Sequence, residues 1–561
     1  MFFRIKHSGP RSYLQIVETY RHEGRPRQRV IATLGRLEEL AQNGQIESLL
    51  ASGARFAEQA MVLTAHRQGD VPEVRRRSIG PALIFARLWA ETGCQAVIET
   101  LGRPRRFGFS LERAIFLTVL HRLFCPGSDR AAERWREAYR IAGVESLSLH
   151  QLYRAMAWLG EELAVAEQAD RTPFAPRCTK DVIEERLFEQ RRDLFTTLDL
   201  VFFDTTSIYF EGAGGETLGQ HGHSKDNRPD LKQMVVGMVL DGDGHPLLCE
   251  FWPGNTTDVK SLIPIVARLQ ARFGVGQVCI VADRGMISQD TLAELERRNW
   301  LYILGARLRS CAEVRKAVLS RPGRYHIVHP KGAHRKDPSP LAVKEVRVEG
   351  RRYVVCFNED QARKDAADRA AILSGLTEQL TQGPKSLVGN KGYRKYLTSQ
   401  GGAFTIDAAK VKSEERFDGK WVLRTNTTLA TADIALTYKD LWRVEAIFRT
   451  MKSRLETRPI YHHVDETIRG HVFCSFLALV LRKALEDRLH DRGETLEWAD
   501  VLRSLDGLEE IEVTQNSKRF LLRTAASGPC GKVFQAVGVA LPPTVRPCPP
   551  PENTPAANTP S

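Results

Sequence analysis

The order of apolar segments between residues 195 and 305 constrains this chain most. TLDLVFFDTTSIYF is rich in β-branched and aromatic residues, the composition of a half-buried or buried strand. LKQMVVGMVL and PLLCEFW follow as two more strands, joined by the turn Asp241-Gly242-Asp243-Gly244. DVKSLIPIVARLQARFG has helical spacing and stops at a glycine. QVCIVADRG is an apolar strand ending in a polar turn. ISQDTLAELERR is a helix capped by Ser288, and NWLYILGA is a strand. Three strands in hairpin order followed by αβ units predict an α/β core: a mixed sheet covered by helices.

The 561 residues exceed what one core accommodates, and the pattern divides them. Residues 1–75 open with a small β-hairpin unit around a Gly24/Pro26 turn. Residues 76–190 are helical in pattern, with Ser128 and Ser148 as N-caps and a break at Pro126-Gly127. Within them SLSLHQLYRAMAWLGEEL follows another helix as a helix-turn-helix would, and two packed helices with no DNA role fit equally well. The core begins at 191–310. Residues 311–432 are irregular and strand-rich, an insertion subdomain. Two long helical segments follow within 433–525, and the Pro-rich tail 526–561 is expected to be disordered.

Composition narrows the partners. With 81 Lys+Arg against 68 Asp+Glu the chain carries +13, which favours an anionic partner, most often nucleic acid. Ten cysteines without a CxxC pair fit reduced thiols in a cytosol rather than zinc fingers or a disulfide scaffold. The N-terminus MFFRIKHSGPR lacks an apolar signal core. The run Val472 to Leu481 is too short to cross a bilayer, so no membrane partner is expected. There is no GxxxxGK[ST] sequence for ATP, and Gly212-Ala213-Gly214-Gly215 lacks the third glycine of a dinucleotide fingerprint.

Two carboxylates stand where carboxylates are costly. Asp204 ends the apolar run Leu200-Val201-Phe202-Phe203, and Asp283 ends Val278 to Ala282. A carboxylate there needs a cation, a metal or a hydrogen-bond donor, and two on neighbouring strands are suited to share Mg²⁺. Either one alone reads more simply as a turn cap. A third carboxylate, Glu445, lies in YKDLWRVEAIFRTMKSRLETRPIYHH. Leu441, Val444, Phe448, Met451 and Leu455 mark the buried side of a helix there, while Glu445, Arg449 and Lys452 share another face. That face suits a site holding metal and gripping phosphate, and an exposed Glu445–Arg449 ion pair explains part of it equally well. On one continuous helix, Asp440 would stand ~140° away from Glu445 and Glu456 ~16 Å further along. Of the remaining candidates, Lys225, Arg228 and Lys232 in SKDNRPDLK suit DNA backbone or a solvated turn. Asp258 reads as the N-cap of DVKSLIPIV. His221 and His223 lack a third metal ligand, and Trp300 and Trp421 fit core packing better than base stacking.

The segments FFDTTSIYFEG, VADRGMIS and YKDLWRVEAIFRTMKSRLETRPIYHH resemble, in order and spacing, the three catalytic blocks of bacterial insertion-sequence transposases of the DDE class. The subgroup resembled carries a strand-rich insertion between its second Asp and its Glu. Its signature of Tyr, Arg three on, Glu seven on and Lys fourteen on is matched by Tyr438, Glu445 and Lys452. Leu441 stands at the Arg position, with Arg443 and Arg449 as the nearby cations. HSKDNRPDLKQMVVGMVLD and FWPGNTTDVKSL also resemble family sequence, and the resemblance runs from YRHEGRPRQRVIATLGR to about residue 485.

The resemblance implies a ribonuclease-H-like core in which Asp204, Asp283 and Glu445 bind two Mg²⁺ (or Mn²⁺) ions and cut and join phosphodiesters. It implies that Tyr438, Arg449 and Lys452 contact DNA, and that the helical N-terminal region binds the ends. The implied partners are terminal inverted repeats and target DNA, with a homodimer in the synaptic complex in the bacterial cytoplasm. A nuclease that cuts without joining, and a catalytically dead DNA-binding derivative, are the alternatives.

Overall fold

The computed structural model describes residues 2–22, 25–42, 73–168, 175–192, 198–275, 278–331, 334, 337–381, 395–400, 403–515 and 518–547. They form two compact units. One comprises the described residues of 1–76, 510–524 and 543–561, the other those of 77–509 and 525–542.

In the first unit, β1 (Phe2–Ser8), β2 (Arg11–His22) and β3 (Arg25–Arg36) form an antiparallel sheet, so the expected hairpin carries one more strand. Gly24, at its expected turn, lies outside the described residues. β4 (Glu73–Ser78) joins a four-stranded sheet in the order β18-β17-β16-β4, with β16 Glu509–Gln515, β17 Lys518–Arg523 and β18 Val545–Pro547. Residues 510–523 thus leave the second part of the core to which the sequence assigned them. The tail expected to be disordered from 526 contains an ordered helix, Cys530–Val537, between Pro529 and the proline-rich stretch. Cys530, Val533, Phe534 and Val537 recur at helical spacing and are all buried, which outweighs the proline-rich composition further along the tail. Residues 548–561 lie outside the described residues.

The second unit is built on one nine-stranded sheet in the order β10-β11-β12-β15-β9-β8-β5-β6-β7. One half of it is the expected pattern: β5 (Leu200–Tyr209), β6 (Gln233–Asp241) and β7 (Pro246–Pro253) are antiparallel neighbours. β8 (Cys279–Ala282) and β9 (Leu301–Gly305) run parallel to β5. Strand order 3-2-1-4-5 with this polarity is the ribonuclease-H-like arrangement. Both faces are covered, which is why β5 reads as an unbroken apolar run. Phe202 and Ile208 pack into the core shared with the helical region, whereas Val201 and Phe203 pack toward Leu262, Ile265 and Phe273 of the helix Asp258–Phe273. Truncating one of these phenylalanines to Ala costs about 3–5 kcal/mol.

The insertion is not a separate layer. β10 (His326–His329), β11 (Leu341–Val348), β12 (Arg351–Phe357) and β15 (Lys420–Thr425) extend the core sheet past β9, with Leu423 opposite Gly305. Between β12 and β15 lie the helix Glu359–Thr381, a small hairpin of β13 (Leu397–Gln400) and β14 (Ala403–Ile406), and the helix Ala408–Glu415.

The helical stretch after residue 78 packs as core. Ser128 Oγ accepts from Ala131 N, and Gln151 Oε1 accepts from Ser148 N at 2.9 Å, as the cap pattern predicts. Helix Leu149–Gly160 lies against helix Asp465–Asp491 almost backbone to backbone. A Cβ on Gly160 would come within 2.0 Å of Glu466 O, and one on Gly470 within 1.9 Å of Met156 O. SLSLHQLYRAMAWLGEEL therefore supplies a helix packed closely into the core. Val472 to Leu481 is the buried middle of Asp465–Asp491, and no helix of the described residues is long and apolar enough to cross a membrane.

Candidate active site

Strand register sets the site. Phe203 on β5 lies opposite Ala282 on β8, and Ala282 opposite Leu304 on β9. The next residues are Asp204, Asp283 and Gly305, level with one another on adjacent strands ~4.8 Å apart. Phe203, Ala282 and Leu304 all point into the core formed with helix Asp258–Phe273. By alternation the next residue on each strand faces the other side, where Tyr438 and the Glu445 helix lie.

Asp204 is mostly buried. Burial pushes its carboxyl up to about 6, opposed by Lys225 and by the Thr205 N–H, and reinforced by the nearby charges of Asp283 and Asp258. Tyr438 Oη donates to Asp283 Oδ1 at 3.0 Å. Burial, then the Asp283 charge, drives the Tyr438 hydroxyl far above its usual range. Gly305 makes room for this ring, because a Cβ there would lie 2.4 Å from Tyr438 Oη.

Glu445 stands on the helix Trp442–Arg449, whose Val444 and Phe448 are buried. The sequence suggested one helix from about 436 to 456. The structure divides it into Thr431–Lys439, Trp442–Arg449 and a wider turn, Thr450–Arg454. The buried stripe Leu441, Val444, Phe448, Met451 and Leu455 is as expected. The rivals to Glu445 stand differently. Asp440 precedes its helix and lies 3.5 Å from Arg443, and Glu456 follows the last turn with φ +43°. Glu445 and Arg449 are exposed, and the surface ion pair between them does not form among the described residues.

Asp283, Arg284, Gly305, Tyr438 and Glu445 line a cavity of about 510 Å³. Its far wall comes from the insertion and includes Arg309, Lys395, Tyr396, Lys420 and Trp421. Of the two tryptophans considered for stacking, Trp300 is fully buried in the core and Trp421 faces this cavity. Asp204, Asp283 and Glu445 do not bring ligand atoms within 4.8 Å of one another among the described residues, whereas Asp129, His462 and His471 do. In that second group, however, Arg122 Nη2 donates to His471 Nδ1 at 2.8 Å, so the ring nitrogen is already engaged by a cation. His221 and His223 are exposed.

The predicted DNA contacts fall in different places. Lys225 turns inward: its Nζ lies 2.7 Å from Thr205 O and 3.3 Å from Asp258 Oδ2. Lys452 is nearly buried and lies 2.8 Å from Asp226 Oδ1. Arg228 remains at the surface, paired with Asp230 and standing 5.5 Å over the Tyr209 ring. Lys232 is half-buried and its carbonyl accepts from Phe210 N.

Asp258 corrects the sequence reading. The cap position is Thr257, and Asp258 instead accepts from Thr205 Oγ1 at 2.6 Å, beside Asp204. The Asp258 charge reaches Asp204 and adds to the rise of that carboxyl. Gly285 lies against it, since a Cβ there would stand 3.1 Å from Asp258 Oδ2. Asp226 was missed altogether, because an acidic residue in a Pro-containing turn of mixed charge carries no sequence signal.

Residues 3–67 match the family model of the IS1634 family transposase N-terminal domain, and residues 196–481, just over half the chain, match that of the transposase DDE domain. No curated protein matches the chain. Among solved structures, a piggyBac transposase synaptic complex with hairpin DNA is similar at 10% sequence identity, with 76% of this chain and 79% of that chain covered and a TM-score of 0.37.

Proposed function

The chain belongs to the DDE transposase family, and we propose that Asp204, Asp283 and Glu445 are the carboxylates with which this enzyme cuts and rejoins DNA. The family is that of metal-dependent DNA transposition; the assignment to these residues rests on one observation. Asp204 and Asp283 occupy level positions on adjacent parallel strands, facing the side on which Glu445 lines the cavity.

The donor set fits a hard divalent cation. It is all oxygen, and surplus negative charge with poor solvation holds Asp204 at about 6, a state that a cation relieves. Asp204, Asp283 and Glu445 would hold two Mg²⁺ or Mn²⁺ ions. When bound, such ions activate water or a 3′-hydroxyl and stabilise charge developing on phosphate oxygens. The protein's own groups do the rest. Tyr438 orients Asp283 through its hydroxyl. Arg284, Arg309, Lys395 and Lys420 line the cavity among the carboxylates Asp365, Asp368, Glu414 and Asp418, so its wall is of mixed charge and these four cations are the groups in it that would meet a phosphodiester backbone. Tyr438, Arg449 and Lys452 contact the DNA end near the cut, and Arg228, with Lys232 from the same loop, meets backbone further out.

The substrates of this reading are the element's terminal inverted repeats and target DNA. Two copies of the chain act together in the synaptic complex, in the bacterial cytoplasm at the nucleoid. The test is strand transfer. Purified protein, Mg²⁺ and labelled end DNA are incubated with a supercoiled plasmid, and joining of the 3′ end is read on a gel. Cleavage without joined product would make the enzyme a nuclease, and neither product would refute the reading.

A further inference from the structure

The dipeptide Lys225-Asp226 lies in the loop between β5 and β6, which in the sequence resembles a solvated turn. The Lys225 ammonium, still partly exposed, is held by three oxygens of the protein. Its Nζ lies 2.7 Å from Thr205 O, 2.9 Å from Thr205 Oγ1 and 3.3 Å from Asp258 Oδ2. Lys225 N donates to Ser207 Oγ at 2.8 Å, and Thr205 Oγ1 donates to Asp258 Oδ1 at 2.6 Å. Lys225 is thereby fastened to the strand residue after Asp204 and to the start of helix Asp258–Phe273.

Asp226 faces the other catalytic element. Its Oδ1 lies 2.8 Å from Lys452 Nζ and 2.6 Å from Arg458 Nη1, with the Asp226 side chain 7% and the Lys452 side chain 10% exposed. Both cations belong to the segment that follows Glu445. A surface ion pair contributes little, but a buried carboxylate holding two cations is different: without it, two like charges face each other out of water.

We propose that Lys225 and Asp226 are positioning residues for DNA cleavage, two adjacent opposite charges that fix the Glu445 helix segment against the Asp204 strand. The inference rests on the reading of Asp204 and Glu445 as catalytic. It assigns Lys225 a structural partner rather than DNA, and Lys452 a fixed place before DNA arrives. Neutralising Asp226 releases Lys452 and Arg458 to repel each other, and the segment carrying Glu445 shifts. Small displacements of catalytic groups lower the chemical step on the order of 10²-fold.

The test separates chemistry from grip in the full chain. Affinity for end DNA is measured in EDTA, and the single-turnover cleavage rate on assembled complexes in Mg²⁺. Asp226→Asn is expected to bind end DNA within about threefold of wild type and to cleave on the order of 10²-fold more slowly, with Asp226→Glu restoring part of the rate. Wild-type cleavage by Asp226→Asn would overturn the proposal. So would loss of binding in step with cleavage, which would assign the cluster to DNA grip. If Asp226→Asn fails to fold, Lys225→Met decides by the same two readouts, and a wild-type rate in it overturns the proposal. A wild-type protein that does not cut refutes the functional reading itself, a separate outcome.

Discussion

Asp204 and Asp283 each occupy the residue that follows a paired position, Phe203 opposite Ala282, on neighbouring parallel strands. Register therefore sets the two carboxylates level, and nothing but sheet hydrogen bonding is needed to keep them so. Each is expected to be indispensable for cutting and dispensable for holding DNA. Asp204→Ala and Asp283→Ala should abolish cleavage of end DNA while end binding in a gel-shift assay stays within about threefold. Cleavage by wild type should require Mg²⁺ or Mn²⁺ and vanish in EDTA. Full activity with Zn²⁺ alone would count against the hard-ligand site.

The raised Asp204 carboxyl has a consequence for stability. Its folded-state value, about 6, lies above the unfolded value of 3.8, so the folded protein holds this proton more tightly. The stabilisation is full below about 3.8 and is lost as pH rises through about 6. Metal-free protein at pH 7.5 thus carries an unfavourable buried charge. Asp204→Asn, which keeps the shape and removes the charge, is expected to stabilise the metal-free protein there by roughly 1–3 kcal/mol. The gain should disappear at pH 4 and shrink when Mg²⁺ is added. Thermal melts of both proteins at the two pH values check it, and an unchanged or lower Tm at pH 7.5 would be the contrary result.

The strand carrying Asp204 and the strand leading to Asp283 were legible because a buried strand writes its own apolar run, and the helix of Glu445 because it writes a stripe. What sequence hid was long-range. Asp258 reads locally as a cap, and only the fold brings it to Thr205. The domain boundary at 190 is a similar case. Leu152, Met156 and Leu159 share a core with Phe473, Phe476 and Leu477, some three hundred residues later. Lys180 and Asp181 are buried and meet Cys249 O and Arg268. A fragment of residues 1–190 lacks these partners and is expected to be molten or insoluble. Well-dispersed NMR signals from its helical part would show that the region folds alone.

The choice of the third carboxylate also changes with the structure. Angles counted along one continuous helix set Asp440 and Glu456 aside, but the helix breaks at both ends. The distinction now rests on position: Glu445 lines the cavity with Asp283, while Asp440 lies beside Arg443. Glu445→Gln is expected to lose nicking and joining together, on pre-cut and uncut end DNA alike. Asp440→Asn and Glu456→Gln should stay within about threefold of wild type. An active Glu445→Gln enzyme would refute the assignment.

Tyr438 offers a test of coupling rather than of loss. Its hydroxyl donates to Asp283 Oδ1 at 3.0 Å, and a Cβ on Gly305 would stand 2.4 Å from the same hydroxyl oxygen. Gly305 lies next to β9's Leu304, on a strand fixed on both sides by β8 and β15, so the backbone has little freedom to retreat. In Gly305→Ala the phenol must move instead, and its hydrogen bond to Asp283 is strained or broken. Tyr438→Phe removes both the bond and the oxygen. A hydrogen bond to a charged group contributes about 1.5–3 kcal/mol, so each single variant is expected to cleave at least about tenfold more slowly if the bond is needed in the transition state. The Cβ at Gly305 would also lie 3.2 Å from Tyr438 Cζ, a contact that a small tilt of the ring relieves once the hydroxyl is gone. The double variant is therefore expected to lose little beyond Tyr438→Phe alone, because the one tight contact left to the added methyl group is Arg284 N at 3.0 Å. Single-turnover cleavage rates of the four proteins close the cycle. Additive losses would mean that Gly305 acts through the sheet and not through Tyr438.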